Sequence, residues 1–110
     1  MSNNKVLVIG ADHHNTLGIV ESLGEKGIKS YVLIVADIKT SFVLKSKFVI
    51  NGWICPSPSC VVDEMLKHFS DSINKTIVYS SYDNVSSVLD SAAEQLEKYF
   101  ILPITNEPGS

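Results

Sequence analysis

The sequence predicts an α/β domain of three layers, an open parallel sheet of about five strands with helices on both faces. Three observations carry this expectation. Short runs rich in valine, isoleucine and leucine recur at KVLVIG (5–10), SYVLIVA (30–36) and KTIVYS (75–80). Between them lie stretches whose apolar residues repeat every three or four positions, the period of a helix packed on one side. Glycine closes the first strand and the first helix, at Gly10 and Gly27.

Each element follows in order. Lys5 to Gly10 lacks polar alternation and reads as a strand buried on both faces. Asn15 to Gly27 places Leu17, Ile19, Val20 and Leu23 on a helical stripe, with Asn15 the candidate cap and Gly27 the terminator. Ser30 to Ala36 is a second strand, and the helix before it makes the crossover that sets the two strands parallel. Lys47 to Ile50 reads as a short third strand stopped at Asn51 and Gly52. Trp53 to Ser59, with Pro56 and Pro58, reads as an extended loop.

Val62, Met65, Leu66, Phe69 and Ile73 mark a helix running from Ser59, capped by Ser57 or Ser59, with His68 on its solvated side. Lys75 to Ser80 is a fourth strand. Asp83 to Lys98 reads as one long helix facing inward through Val85, Val88, Leu89, Ala92 and Leu96. Tyr99 to Leu102 gives a last strand before Pro103. The order is β-α-β-β-α-β-α-β. Residues 1–104 form the domain, and 105–110, which lack an apolar anchor, form a flexible tail.

A length of 110 residues fits one domain, and 45% apolar with 19% charged residues is the balance of a globular protein. Net charge is -3 and basic residues do not cluster, which argues against nucleic acid and anionic membranes as partners. The longest apolar runs fall far short of the roughly 20 residues of a membrane span. Residues 1–5 read as neither signal nor transit peptide, so the expected compartment is the cytoplasm. Cys55 and Cys60 match neither a zinc knuckle nor a CxxC pair, and two reduced thiols are expected.

Ligands of open parallel sheets bind outside the carboxyl ends of the strands. Three loops qualify: Gly10 to Leu17, Asp37 to Ser46, and Ser80 to Asn84. In the first, the free amides of a helix start suit an anion. However, Asp12, His13 and His14 stand where a dinucleotide fingerprint has glycine. Gly10 and Gly18 are equally explained by a tight turn and close packing. Asp37 is placed either to accept from a ribose hydroxyl or to cap a turn. Asp83 and Asn84 are placed to cap a helix or to touch substrate. The candidate binding residues are Gly10, Ala11, Asp12, His13, Asn15, Asp37, Ser80, Ser81 and Asp83. No triad, P-loop, HExxH or carboxylate pair is readable, so neither a catalytic residue nor a metal ligand is nominated.

Three stretches carry a resemblance over nearly the whole chain: KVLVIGADHHNTLGIVESLGEKGI (5–28), SKFVINGWICPSP (46–58) and TIVYSSYDNVSSVLDSAAEQLEKYFILP (76–103). Together they resemble the Rossmann-like pre-ATP-grasp domain of carboxylate-amine ligases, the family of biotin carboxylase and carbamoyl phosphate synthase. The resemblance implies a substrate-side lobe of a longer ligase that forms an acyl-phosphate and transfers the acyl group to an amine. ATP and magnesium are then expected on the other lobes, and the lobe alone is expected to be inactive. The implied partners are those lobes and a small carboxylate or amine. A homodimer through Trp53, Ile54 and the helix from Asp83 is also expected. The competing expectation is a nucleotide- or dinucleotide-binding subdomain of an oxidoreductase, resting on the βαβ opening and Asp37. A receiver-like module fits less well, because the third strand ends at Ile50 and Asn51 rather than at an aspartate.

Overall fold

A computed structural model describes residues 5–69, 74–80 and 83–102, with residues 83–86 described as backbone only. Five strands form one sheet in the order β3-β2-β1-β4-β5. They are β1 (Val6–Gly10), β2 (Ser30–Val35), β3 (Val49–Cys55), β4 (Thr76–Ser80) and β5 (Phe100–Ile101). Every neighbouring pair is parallel. The helices are α1 (His14–Glu25), α2 (Val61–His68), α3 (Asp83–Ser91) and α4 (Ala93–Leu96), with 3-10 turns at Val43–Lys45 and Pro58–Cys60. This is the α/β open sheet that the alternating apolar runs predict.

β1 is central and wholly buried, as its unbroken apolar run requires. Successive strand residues point to opposite faces, and β1 divides accordingly between two core clusters. Val6 and Val8 join Val32, Ile34, Val20 and Leu23 of α1, and Val43 of the first 3-10 turn. Leu7 and Ile9 join Leu33, Val35, Met65 and Phe69 of the α2 segment, and Leu89 and Leu96 beyond β4. Burying each such valine or leucine contributes about 1.5–3 kcal/mol.

α1 ends as Gly27 requires. Gly27 has φ +87°, its amide donates to Gly24 O at 2.9 Å, and the Ile28 amide donates to Leu23 O at 2.9 Å. This is the left-handed glycine closure of a helix. Gly24 one turn earlier touches the Phe48 ring so closely that a Cβ there would enter it.

Several expectations need correction. The cap of α1 is His13 rather than Asn15: His13 Nδ1 accepts from the Asn15 amide at 3.1 Å. β3 continues through Asn51 and Gly52 to Cys55, so Trp53–Cys55 is strand and not loop. Leu44 covers the bare face of Gly52, and as an edge strand β3 tolerates a glycine. α2 begins at Val61, and neither Ser57 nor Ser59 caps it; their hydroxyls meet each other at 2.8 Å. The long helix from Asp83 divides at Ala92, which has φ -107° and ψ 17°. His68 is half-buried, its ring 4.1 Å from that of Trp53 and its Nε2 3.2 Å from Glu64 Oε1. Cys55 and Cys60 are joined as a disulfide rather than standing as two thiols. Ile73, Ser81, the Val85 and Asp83 side chains, Pro103 and the tail 105–110 lie outside the described residues. Among those described, no helix is long and apolar enough to cross a membrane.

Candidate functional site

The chain runs β1 to β2 to β3 towards one edge, then returns past β1 to place β4 on its other side. The direction of winding therefore reverses between β1 and β4, the position at which open parallel sheets leave a crevice at their carboxyl ends. Ile9 of β1 is in register with Ser80 of β4. Gly10 and the loop after it thus stand beside the end of β4. Of the expected residues, Gly10 is buried, Ala11, Asp12 and Ser80 are half-buried, and His13 and Asn15 are exposed.

Two of them are engaged within the protein. The Asp12 carboxylate accepts from the Ser41 hydroxyl, tying the loop after β1 to the connection after β2. The His14 ring lies 5.5 Å from that of Phe42 and strengthens the same tie. His13 takes up the Asn15 amide, so the start of α1 has one N–H fewer to offer an anion. Asp37 is exposed just beyond the carboxyl end of β2, the strand next to β1 on the side away from β4.

A groove of about 680 Å³ runs down the side of α1 from His14 and Asn15 at its start to Lys26 at its end. One wall is the face formed by His14, Gly18, Ser22 and Lys26, joined by Asn15 at the mouth; the facing side chain is Tyr79 of β4. A Cβ on Gly18 would meet nothing within 4 Å, so the wall is open there. The groove exists because α1 covers β1 and β2, while nearby residues of β4 and β5 on that side stay accessible. Ile77 packs in the α1 cluster, Tyr79 two positions on is 38% exposed, and Ile101, in register with Ile77, is 48% exposed.

Lys26 and Tyr79 were not among the sequence candidates. The signal for Lys26 is a stripe at intervals of four, His14, Gly18, Ser22 and Lys26, small and polar on a helix whose other face is apolar, whereas Tyr79 on β4 carries none. The groove lining includes a lysine and a histidine and, among the described residues, no acidic side chain. Ile19 and Leu23 also line it and its accessible surface is mostly apolar, so it offers the polar groups of Asn15, Ser22, His14 and Tyr79 and the Lys26 cation beside apolar side chains, which suits a small molecule with an apolar body and an anionic group. Among the described residues no three histidine, cysteine or acidic side chains gather as a metal site.

Trp53 and Ile54, expected on a dimer surface, are both half-buried. Trp53 stacks on Tyr31 and His68, and Ile54 packs with the α1 cluster. Compared with protein-family models, with curated proteins and with solved structures, the chain shows no significant match to any of them.

Proposed function

We propose that this domain is the substrate-side lobe of an ATP-grasp carboxylate-amine ligase, and that it binds a small carboxylate in the groove between α1 and Tyr79. The observation that carries the reading is the groove itself, which begins at His14 and Asn15 at the start of α1 and ends at Lys26, with no acidic side chain in its lining among the described residues. Asn15 and His14 supply donors for the carboxylate at the mouth, and Lys26, about 18 Å further along α1, adds positive charge to the groove without touching the same ligand. The ATP and magnesium of such a ligase belong to its other lobes, and no step of acyl-phosphate chemistry is assigned to residues here. The resemblance in the sequence supports the ligase class, and the accessible side chains of Tyr79 and Ile101 offer those lobes a surface to pack on. The cytoplasm is the compartment proposed with it.

The dinucleotide reading has less support. His13 occupies the Asn15 amide, and Asp12, His13 and His14 stand where the dinucleotide fingerprint has glycine. Nuclear magnetic resonance titration distinguishes the two. Acetate, glycine or aspartate should shift the amides of Asn15, Gly18 and Tyr79, and NAD should not. Micromolar binding of NAD at Gly10 and Asp37 would replace the ligase reading with the oxidoreductase one. Acyl-phosphate formation from ATP by this chain alone would overturn the view of it as a lobe without an ATP grip.

A further inference from the structure

Cys55 ends β3 and is 1% exposed, packed in the same cluster as Leu33 and Val35. Cys60, just ahead of α2, is only half-buried. Cys55 is therefore sealed in the core, while Cys60, packed against the edge of the same cluster, is the more accessible of the two. The two are five positions apart, and Pro56 and Pro58 already restrict the short loop between them. By loop entropy a cross-link this short contributes less stability than one that closes a longer loop.

The Ser57 carbonyl oxygen lies 2.9 Å from Cys55 Sγ and 3.2 Å from Cys60 Sγ. Two thiols in these positions would both find an acceptor there. The same backbone thus suits the disulfide and the reduced pair, which is what reversible chemistry requires.

From the asymmetry of access and this shared acceptor we infer that Cys55–Cys60 is a thiol–disulfide exchange site for low-molecular-weight thiols such as glutathione. Cys60 is the sulfur attacked, and Cys55 is the one that leaves. A glutathione thiolate attacks Cys60 Sγ, the S–S bond breaks, and Cys55 departs as a thiolate that takes a proton and turns to Ser57 O. A second glutathione attacks the glutathione sulfur of the mixed disulfide and releases Cys60. The protein pair gains two electrons and two protons, and two glutathiones become one glutathione disulfide. In reverse, glutathione disulfide loads Cys60, and Cys55 resolves the adduct. In a reducing compartment, disulfides with such chemistry are transient rather than structural. The inference stands apart from the ligase reading, since none of the groove residues takes part.

The test equilibrates the full chain with set ratios of reduced and oxidised glutathione, blocks free thiols with N-ethylmaleimide and counts them by mass spectrometry. Fluorescence of Trp53, two residues before Cys55, follows the change in parallel. The expected result is a transition between two blocked thiols and none as the ratio changes. C55S should keep a glutathione adduct on Cys60, and C60S should acquire one at least about tenfold more slowly, because its remaining sulfur is buried. A wild-type disulfide that survives excess reduced glutathione in the folded protein overturns the inference, as does a pair that stays reduced in excess glutathione disulfide. Equal adduct rates in the two variants overturn the roles given to the sulfurs. Where a variant fails to fold by circular dichroism, peptide mapping of the transient wild-type adduct decides. An adduct on Cys60 supports the assignment, and one on Cys55 overturns it.

Discussion

The Ser41 hydroxyl donates to the Asp12 carboxylate and, through the same oxygen, accepts from the Val43 amide at 3.2 Å. Ser41 is 4% exposed, so its hydroxyl has given up water and depends on Asp12 for an acceptor. Asp12→Ala leaves that donor buried and unpaired. The loss of a hydrogen bond to a charged group should cost about 1.5–3 kcal/mol, read as a lower urea midpoint at unchanged slope. Asp12→Asn retains an acceptor and should recover part of the loss.

Three glycines associated with α1 should respond differently to alanine. Gly18→Ala places a methyl in open space, and the better helix former should stabilise by about 0.8–1 kcal/mol. It also narrows the groove opposite Tyr79, so carboxylate-induced shifts there should weaken. Gly24→Ala drives a methyl into the Phe48 ring and should destabilise by about 1–3 kcal/mol. Gly27→Ala meets no neighbour, but φ +87° is a left-handed conformation that costs a residue with Cβ about 1–2 kcal/mol. Thermal melts of the three variants check signs as well as sizes.

The parts of the fold legible in the sequence are those written in local periodicity. KVLVIG and SYVLIVA are unbroken because both faces of their strands are covered, and Gly27 announces its left-handed turn without help from elsewhere. The illegible parts depend on contacts distant in sequence. Asn51-Gly52 carries a turn signal, yet the strand continues because Leu44 fills the space over Gly52 and Tyr31 stacks on Trp53. His68 looks solvated on its own helix until Trp53 arrives beside it. At the candidate site, the rule about carboxyl ends points to the loop after β1 and to Ser80; Asn15 of that loop lines the groove, and Ser80 does not. The rule missed Tyr79 and Lys26, because a groove along a helix depends on which part of the sheet that helix leaves bare.

Phe69 joins the aromatic side chains into one unit. Its ring lies 5.3 Å from Tyr31, 5.7 Å from Trp53 and 6.2 Å from Phe100, each in an edge-to-face arrangement of the kind that rings favour. It is 4% exposed, and the rings around it come from β2, β3 and β5. Phe69→Ala should cost about 3–5 kcal/mol. The near-ultraviolet dichroism of Trp53 should collapse with it, since the indole loses a wall and not only a neighbour. A variant that melts normally with its aromatic dichroism intact would show that this cluster does not tie the sheet to the α2 segment.

Ser30 offers a gain rather than a loss. It begins β2 with its amide donating to Phe48 O at 3.0 Å, and it is fully buried. Its hydroxyl, however, has no hydrogen-bond partner among the described residues. A buried unpaired hydroxyl carries a desolvation penalty of about 1–3 kcal/mol, which its removal relieves, while the backbone bond to Phe48 is kept. Alanine leaves only a small void in place of one oxygen, so Ser30→Ala should stabilise by up to about 1 kcal/mol, read as a higher urea midpoint at unchanged slope. Ser30→Val tests the same point more severely, because two methyls fill the space and suit a strand. If Ser30→Ala destabilises instead, the hydroxyl has a partner in the folded protein. Hydrogen exchange at the Ser30 and Phe48 amides would then show whether that partner lies at the start of β2.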